Sequence, residues 1–266
     1  MNFNYGNKFN RNIAKEISIK LPTINDQIAF DYMEAYIQEL EQERIQELEA
    51  YLQASGLKDT TLTQNEQIAL NTFLDTDYNS GGGGANSRLT VCWKEYKIGE
   101  LFEVSGTKSL DEGKLSFKDT GINFVGRVND NNGVKGKIDL QNFPPNEKDT
   151  ITATVIGQYK YVKFQSEPYY TSQNINKLKP LFKWNKHVIY YIITHIQKFV
   201  SQYNGQQGGY KLDALINCKI TLPTINNQIA FDFMQDLMTA LSKQVVHALN
   251  AYTSLKIQTA KEVINK

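Results

Sequence analysis

The sequence predicts an α+β fold: a mixed α/β central domain with a strongly twisted or barrel-like sheet, plus long α-helices forming an antiparallel coiled-coil pair. Three observations predict it. One stretch occurs twice, as LPTINDQIAFDYM at 21–33 and LPTINNQIAFDFM at 222–234, a separation of 201 residues. Each copy leads from a β-like run through a Leu-Pro stop into apolar residues at three-and-four spacing, the mark of an amphipathic helix. Between the copies lie short β-like runs punctuated by Asn and Gly, as in a sheet joined by tight turns. Two helices with matched entries, set either side of one globular domain, can bury their stripes against each other.

At 266 residues the chain can bury one large or two modest cores, and its net charge of +1 is ordinary. The total conceals an asymmetry. Residues 91–222 carry 18 Lys/Arg against 12 Asp/Glu, a net of +6, and the remainder carries 11 against 16, a net of −5. A basic middle on an acidic scaffold points to a polyanionic partner. Cys92 and Cys218 are too few for a disulfide framework and read as buried thiols in a reducing compartment. Met1 is not followed by the apolar core of a signal peptide, and runs such as 188–196 are too short to cross a bilayer. The expected location is cytoplasmic.

Residues 1–20 resemble the segment before the second copy: Ile17-Ser18-Ile19-Lys20 lies opposite Cys218-Lys219-Ile220-Thr221, and Phe9 opposite Tyr210. They read as the tail of a domain or, alternatively, as a segment that pairs with the central domain of this same chain. A helical region is expected over 21–78. Its first helix begins near residue 24, with Thr23 and Asp26 as a capping box, and carries Ile28, Tyr32, Tyr36, Ile37, Leu40, Ile45, Leu48 and Leu52 on one face until Gly56 stops it. At ~1.5 Å per residue it is roughly 45 Å long and needs a partner along its stripe. A second helix starts at the capping box Thr63-Gln64-Asn65-Glu66 and leaves by Tyr78. Residues 79–90, with Gly81 to Gly84 in a row, form a linker, because no strand precedes them and no Lys-Ser/Thr follows as a phosphate loop requires.

The basic domain spans 91–222. Strands are expected at 123–128, 137–140, 150–156 and 159–164, a helix at 186–202, and a returning strand over 210–222. The second helical region, 223–266, starts its helix near Thr224 and continues the stripe through Ile229, Phe233, Leu237 and Leu241.

These junctions, Leu21-Pro22 with Gln27 and Leu222-Pro223 with Gln228, resemble the specificity (S) subunits of type I restriction–modification systems. The central segments WKEYKIGELFEVSGTK, FVGRVNDNNGVKGKI, YYTSQNINKLKP and YNGQQGGYKLDAL are similar to a target-recognition domain of that family. The resemblance covers about residues 5–260 and implies a half-length subunit with one complete recognition domain. It implies sequence-specific binding of double-stranded DNA, without catalysis by this chain. The expected partners are an adenine methyltransferase (modification) subunit, a restriction subunit, and either a second copy of this chain or another specificity chain. No cofactor is expected here, with S-adenosylmethionine and ATP confined to the partner subunits, and no membrane is involved.

Apart from the resemblance, the residue types themselves suit this role. Arg127 suits guanine O6 and N7, and Asn129, Asn131, Asn132, Gln173, Asn174, Gln206 and Gln207 can pair with adenine edges. Lys108, Lys114, Lys118, Lys135, Lys137, Lys160, Lys163 and Lys211 can neutralise phosphates. Tyr203 and Tyr210, with Tyr159, Tyr161, Tyr169 and Tyr170, can pack on sugars or bond phosphates. Asn131 and Asn132 beside Gly133 suit a left-handed turn equally well.

Catalytic readings fare worse. Asp111-Glu112-Gly113-Lys114 lacks a preceding metal-binding carboxylate on a strand, and Asn142–Asn146 departs from the Asn-Pro-Pro-aromatic loop of amino-methyltransferases. His187, His195 and His247 share no ligand spacing. The competing function is an assembly scaffold whose helices join a complex without reading sequence, and a third reading is the recognition end of a fused restriction–methylation enzyme.

Overall fold

A computed structural model describes residues 15, 17–54, 59–78, 91–205 and 207–264. The expected tail through residue 14, the helix stop at Gly56, the linker 79–90 and Gln206 lie outside the described residues. The chain forms two compact units, Met1–Asp59 and Thr60–Lys266.

In the first unit the repeated stretch is a β-hairpin. Strand β1 (Thr23–Ile24) pairs antiparallel with β2 (Gln27–Ile28), and helix α1 runs over Phe30–Ala54. Asn25 and Asp26, at φ 52° and 61°, occupy the left-handed region. Two such residues in succession make the two-residue hairpin loop whose twist matches its flanking strands. This corrects the expected helix start near residue 24: Asn and Asp tolerate positive φ at little cost, so the pair turns the chain before any helix can begin. The Ala29 amide then donates to the Pro22 carbonyl at 2.9 Å and sets the helix entry.

The second copy repeats this geometry in the second unit. Asn226 and Asn227 take φ 51° and 66°. The Ala230 amide donates to the Pro223 carbonyl at 2.9 Å. Leu-Pro is therefore no stop. The strand Lys219–Ile225 runs through Pro223, turns into Gln228–Ile229, and delivers the chain to a helix over Phe231–Ile264.

Between the copies of the repeat, the second unit opens with α2 (Gln64–Tyr78). Its capping box is present as read: the Thr63 amide donates to Glu66 Oε2 at 2.8 Å, and the Glu66 amide to Thr63 Oγ1 at 3.3 Å. Strand β3 (Cys92–Lys97), a single-turn helix α3 (Ile98–Leu101) and β4 (Phe102–Gly106) follow. Next come β5 (Ile122–Val125), β6 (Val134–Ile138), β7 (Thr150–Thr154), β8 (Val162–Gln165), β9 (Tyr169–Thr171) and β10 (Ile175–Pro180). Helix α4 (Lys186–Ser201), a short α5 (Leu212–Ile216), β11 (Lys219–Ile225), β12 (Gln228–Ile229) and α6 (Phe231–Ile264) complete the unit.

Three sheets result, ordered β4-β10-β7-β8, β12-β11-β3 and β6-β5-β9. All pairings are antiparallel except β5 with β9, and the described strands close no barrel.

Three expectations change. Residues 212–216 are helical, because the Lys211 carbonyl collects the Ala214 and Leu215 amides and Leu215 drops into the core. The return strand begins only at Lys219. Strands β9 and β10 were not anticipated. In β10 the outward lysines Lys177 and Lys179 are held by Glu147, at 3.2 and 2.8 Å. The cysteines are not deeply buried: Cys92 is exposed and Cys218 half-buried.

Helix α4 anchors the core. Asn185 Oδ1 caps it by accepting the Val188 amide at 3.0 Å, an interaction worth about 1 kcal/mol. Ile189, Ile192, Ile196 and Val200 are buried with Ile151, Ala153 and Phe164 of the four-stranded sheet. Each such side chain contributes ~1.5–3 kcal/mol by leaving water. Its histidines are part of this packing: His187 Nδ1 meets Thr239 Oγ1 at 3.2 Å, and His195 lies against the Tyr191 ring. Burial holds both imidazoles below their ordinary pKa.

Helix α6 packs on α4 and α2. Lys243 Nζ, from α6, donates to Glu66 Oε2 of α2 at 2.8 Å, both side chains largely shielded. Burial pushes the Glu66 carboxyl up, but the bonds from Lys243 and Thr63 outweigh it and leave it below its ordinary value.

A depressed carboxylate stabilises the fold above its unfolded pKa, and that contribution is lost as pH falls through the folded value. Lys243→Met strands the carboxylate and should cost about 3 kcal/mol at neutral pH. Its deficit relative to wild type should shrink as the pH is lowered, which thermal unfolding from pH 7 to the acid range would show. Asn226→Val should cost about 1–2 kcal/mol by forcing a β-branched residue into the left-handed region; denaturant titration measures it.

Candidate nucleic-acid interface

Strands β5 and β9 run parallel and end together, Val125 opposite Thr171. The loops that leave them are joined: the Ser172 amide donates to the Val125 carbonyl at 2.9 Å, and the Val155 amide, just past β7, to the Asn174 carbonyl at 2.9 Å. The 155–160 loop is joined in turn to the segment after α4, where the Gly205 amide donates to the Gln158 carbonyl at 2.9 Å and Asn204 Oδ1 accepts the Lys160 amide at 2.9 Å. Gly209 closes the series. A Cβ there would stand 2.0 Å from the Val155 carbonyl, and its φ is +57°, so only glycine lets this loop lie so close. Polar loops at 126–133, 155–160 and 172–174, with residues 203–205 and 207–209, thus form a ridge along one edge of the sheets.

On this ridge Arg127, Asn129, Gln173, Asn174 and Gln207 are exposed, with Lys211 just beyond. Lys163 Nζ donates to Asn129 Oδ1 at 2.9 Å and lies near the Tyr161 ring. Beside the 126–133 turn is a depression of about 390 Å³ whose lining includes Lys118, Asn123, Asn131 and Lys137. Asn123, read only as a strand residue, is a polar lining residue the sequence reading missed. No pattern in the sequence marks it, because only the β5–β6 pairing sets it opposite Lys137.

Most of the lysines are already partnered. Lys118 pairs with Asp139 at 2.5 Å, Lys114 with Asp111 at 3.7 Å, and Lys135 with Glu112. Lys108 Nζ lies 4.0 Å from the centre of the Phe143 ring. Among the described residues Arg127, Lys137 and Lys211 make no ion pair, so their charge is directly available to an anion.

Several expected contact residues serve the fold instead. Lys160 is buried, its amine donating to the Tyr203 carbonyl and to the Gly157 carbonyl at 3.1 Å, and burial lowers its pKa. It ties the two loops together and is not presented to phosphate. Tyr210 is a core residue packed on Phe199 and Tyr203, and Tyr203 is half-buried in the same cluster. Tyr169 and Tyr170 are buried as well: the Tyr170 hydroxyl donates to the Phe143 carbonyl at 2.6 Å, and Tyr169 meets Thr150 Oγ1 at 2.9 Å.

Asn131 and Asn132 take the turn reading, at φ 47° and 55°. Asn131 Nδ2 donates to the Val134 carbonyl at 3.1 Å and Asn132 Nδ2 to the Phe164 carbonyl at 2.7 Å. One side-chain N–H of each is thus used within the protein, that of Asn131 on the turn and that of Asn132 on β8. Among the described residues no cluster of three or more His, Cys, Asp or Glu can hold a metal ion. No described helix is long and apolar enough to cross a membrane.

The type I restriction modification DNA specificity domain matches residues 90–251. The chain belongs to this family. The type II restriction enzyme BgcI specificity subunit S.BcgI of Heyndrickxia coagulans is 24% identical over 255 residues, covering 92% of this chain and 63% of that protein. Among solved structures, the type I restriction–modification S subunit from M. genitalium is 16% identical, covering 86% of this chain and 57% of that one, at a TM-score of 0.47. The HsdS subunit from Thermoanaerobacter tengcongensis is 17% identical, covering 82% of this chain and 50% of that one, at a TM-score of 0.43. The chain thus spans one half to just under two thirds of the length of these relatives.

Lys160→Met should lower stability by about 1–3 kcal/mol through two carbonyls left unpaired. Below its melting temperature it should leave the salt dependence of DNA binding unchanged, as anisotropy titrations at several salt concentrations would show.

Proposed function

We propose that residues 91–222 read DNA sequence and place a partner adenine methyltransferase on its target, the chain itself doing no chemistry. The observation that carries this is the ridge: in a member of the specificity family, one edge gathers exposed Asn and Gln side chains around an arginine that makes no ion pair among the described residues. Arg127 is the base reader, taking guanine O6 and N7 bidentately. Asn129, Gln173, Asn174 and Gln207 supply the adenine-type contacts. Lys137 and Lys211 act on phosphates at once, whereas Lys114, Lys118 and Lys135 must first exchange a carboxylate partner. Such contacts position the duplex without specifying it.

The long helices α1 and α6 space two recognition sites, so that the target is bipartite. The methyltransferase supplies S-adenosylmethionine chemistry, and a restriction subunit supplies ATP-driven chemistry. The duplicated helix entries, the amphipathic stripe of α1 and the family membership support this arrangement.

Arg127→Ala should cost about 1–3 kcal/mol on the cognate duplex and far less on a random one, and Lys137→Ala should weaken both alike and reduce the salt slope by about 1. Competition anisotropy with the chain in complex with its methyltransferase distinguishes the two patterns. Equal losses on both duplexes for Arg127→Ala would remove it from base reading.

A further inference from the structure

Strand β8 has two faces with different tasks. Val162 and Phe164 belong to the core beneath α4. Lys163 and Gln165 alternate with them and meet the 126–133 loop that carries Arg127. Gln165 is only 2% exposed. A buried amide costs free energy unless it finds partners, so an aliphatic side chain would fill such a place more simply. The partners here are specific: Gln165 Nε2 donates to the Asn132 carbonyl at 3.2 Å and to Thr152 Oγ1 at 3.1 Å.

The neighbours of Gln165 hold the same loop. Lys163 Nζ donates to Asn129 Oδ1 at 2.9 Å, and Asn132 Nδ2 donates to the Phe164 carbonyl at 2.7 Å. The ends of the loop are tied as well, the Gly126 amide donating to the Gly133 carbonyl at 2.8 Å. Three successive residues of β8 thus grip two points of a loop that is closed on itself. Arg127 stands between the closing bond and the first of those points, with its side chain exposed. The Lys163 bond is exposed and competes with water, whereas Gln165 is shielded, which makes Gln165 the anchor.

We infer that Gln165 is a positioning residue for base recognition: it fixes the 126–133 loop so that Arg127 meets a base edge in one geometry. The inference rests on the function proposed above, in which Arg127 reads a guanine. A bidentate contact requires two guanidinium N–H groups to align with O6 and N7 together. A loop held before DNA arrives has little ordering left to lose on binding. An unheld loop lets the same guanidinium turn to a phosphate, which attracts the duplex without discriminating between sequences. Loss of the Gln165 bond therefore relaxes selectivity at the position that Arg127 reads and leaves the rest of the motif strict.

The test maps adenine methylation across the host genome with the chain co-expressed with its methyltransferase subunit. Wild type is compared with Arg127→Ala, Gln165→Met and the double variant. Methionine keeps nearly the volume of glutamine and offers no donor. Arg127→Ala marks the position it reads, as the one where the motif loosens. Gln165→Met should loosen that same position, lowering the preference for the cognate base by at least about threefold of the roughly 5- to 150-fold that a bidentate pair sets. The double variant should loosen it no further than Arg127→Ala alone. Ile189→Val, a core change on α4, is the control and should leave every position as strict as in wild type. Without DNA, amides 127–133 of the complex should exchange at least about tenfold faster in Gln165→Met than in wild type, read by mass spectrometry.

A position that loosens in Arg127→Ala and stays strict in Gln165→Met overturns the inference and leaves the proposed function standing. A uniform fall in methylation with the motif intact does the same, since that is what a merely structural residue produces. Unchanged exchange at 127–133 overturns it too. If Arg127→Ala loosens no position, the base-reading role proposed above fails and the positioning role fails with it. Should Gln165→Met not fold, Asn132→Gly tests the same grip from the loop side. Glycine keeps the left-handed backbone and the carbonyl that accepts from Gln165, and removes the bond to Phe164. It should loosen the same position, and an intact motif in that variant overturns the inference.

Discussion

The second unit depends on one short constraint, the turn at Asn226-Asn227. Two consecutive residues in the left-handed region reverse the chain within two positions, so that β12 returns along β11 and the Pro223 carbonyl meets the Ala230 amide. That bond fixes where α6 starts. The position of β11, in turn, decides where β3 can pair, and β3 opens the domain that carries the ridge. A strand, a turn and a helix entry thus join the first and last elements of the recognition domain and set the direction in which the long helix leaves it. The cost of positive φ is small for Asn and Asp and large for most alternatives, which explains why both copies place those residues there.

The ridge shows why net charge is a poor guide to an interface. The domain's excess of +6 suggests a broadly basic face. The structure instead answers many lysines internally, with Asp111, Glu112, Asp139 and Glu147. What remains for a ligand is an arginine and a few lysines set among amides. A surface of this kind has modest nonspecific attraction for a polyanion.

Much of the architecture was legible in the sequence, and the failures have particular causes. The capping box at Thr63, the helix from Lys186 and the duplication could be read because each is a local rule with a short span. The hairpin was misread because Asp26 satisfies the spacing of a capping box while also satisfying the turn, and the turn wins when a strand precedes it. Strands β9 and β10 escaped because their alternation is masked by buried Tyr169 and Tyr170 and by lysines held by Glu147, a partner remote in sequence. The same remoteness hid the fate of Lys160 and Tyr210. A lysine is expected outside, and only the approach of the 155–160 and 203–209 loops, fixed by Gly209, encloses its amine. Arg127 keeps its candidacy because its own side chain is exposed and makes no ion pair among the described residues.

Sequence-selective DNA targeting is the property on which the proposed role of this chain depends. The direct measurement is to co-express it with a cognate methyltransferase subunit and map adenine methylation across the host genome, with the methyltransferase alone as control. Modification confined to one bipartite motif, appearing only when this chain is present, is the expected result. Methylation without any motif, in cells where the complex is shown to form, would contradict it and leave the helices as an assembly scaffold.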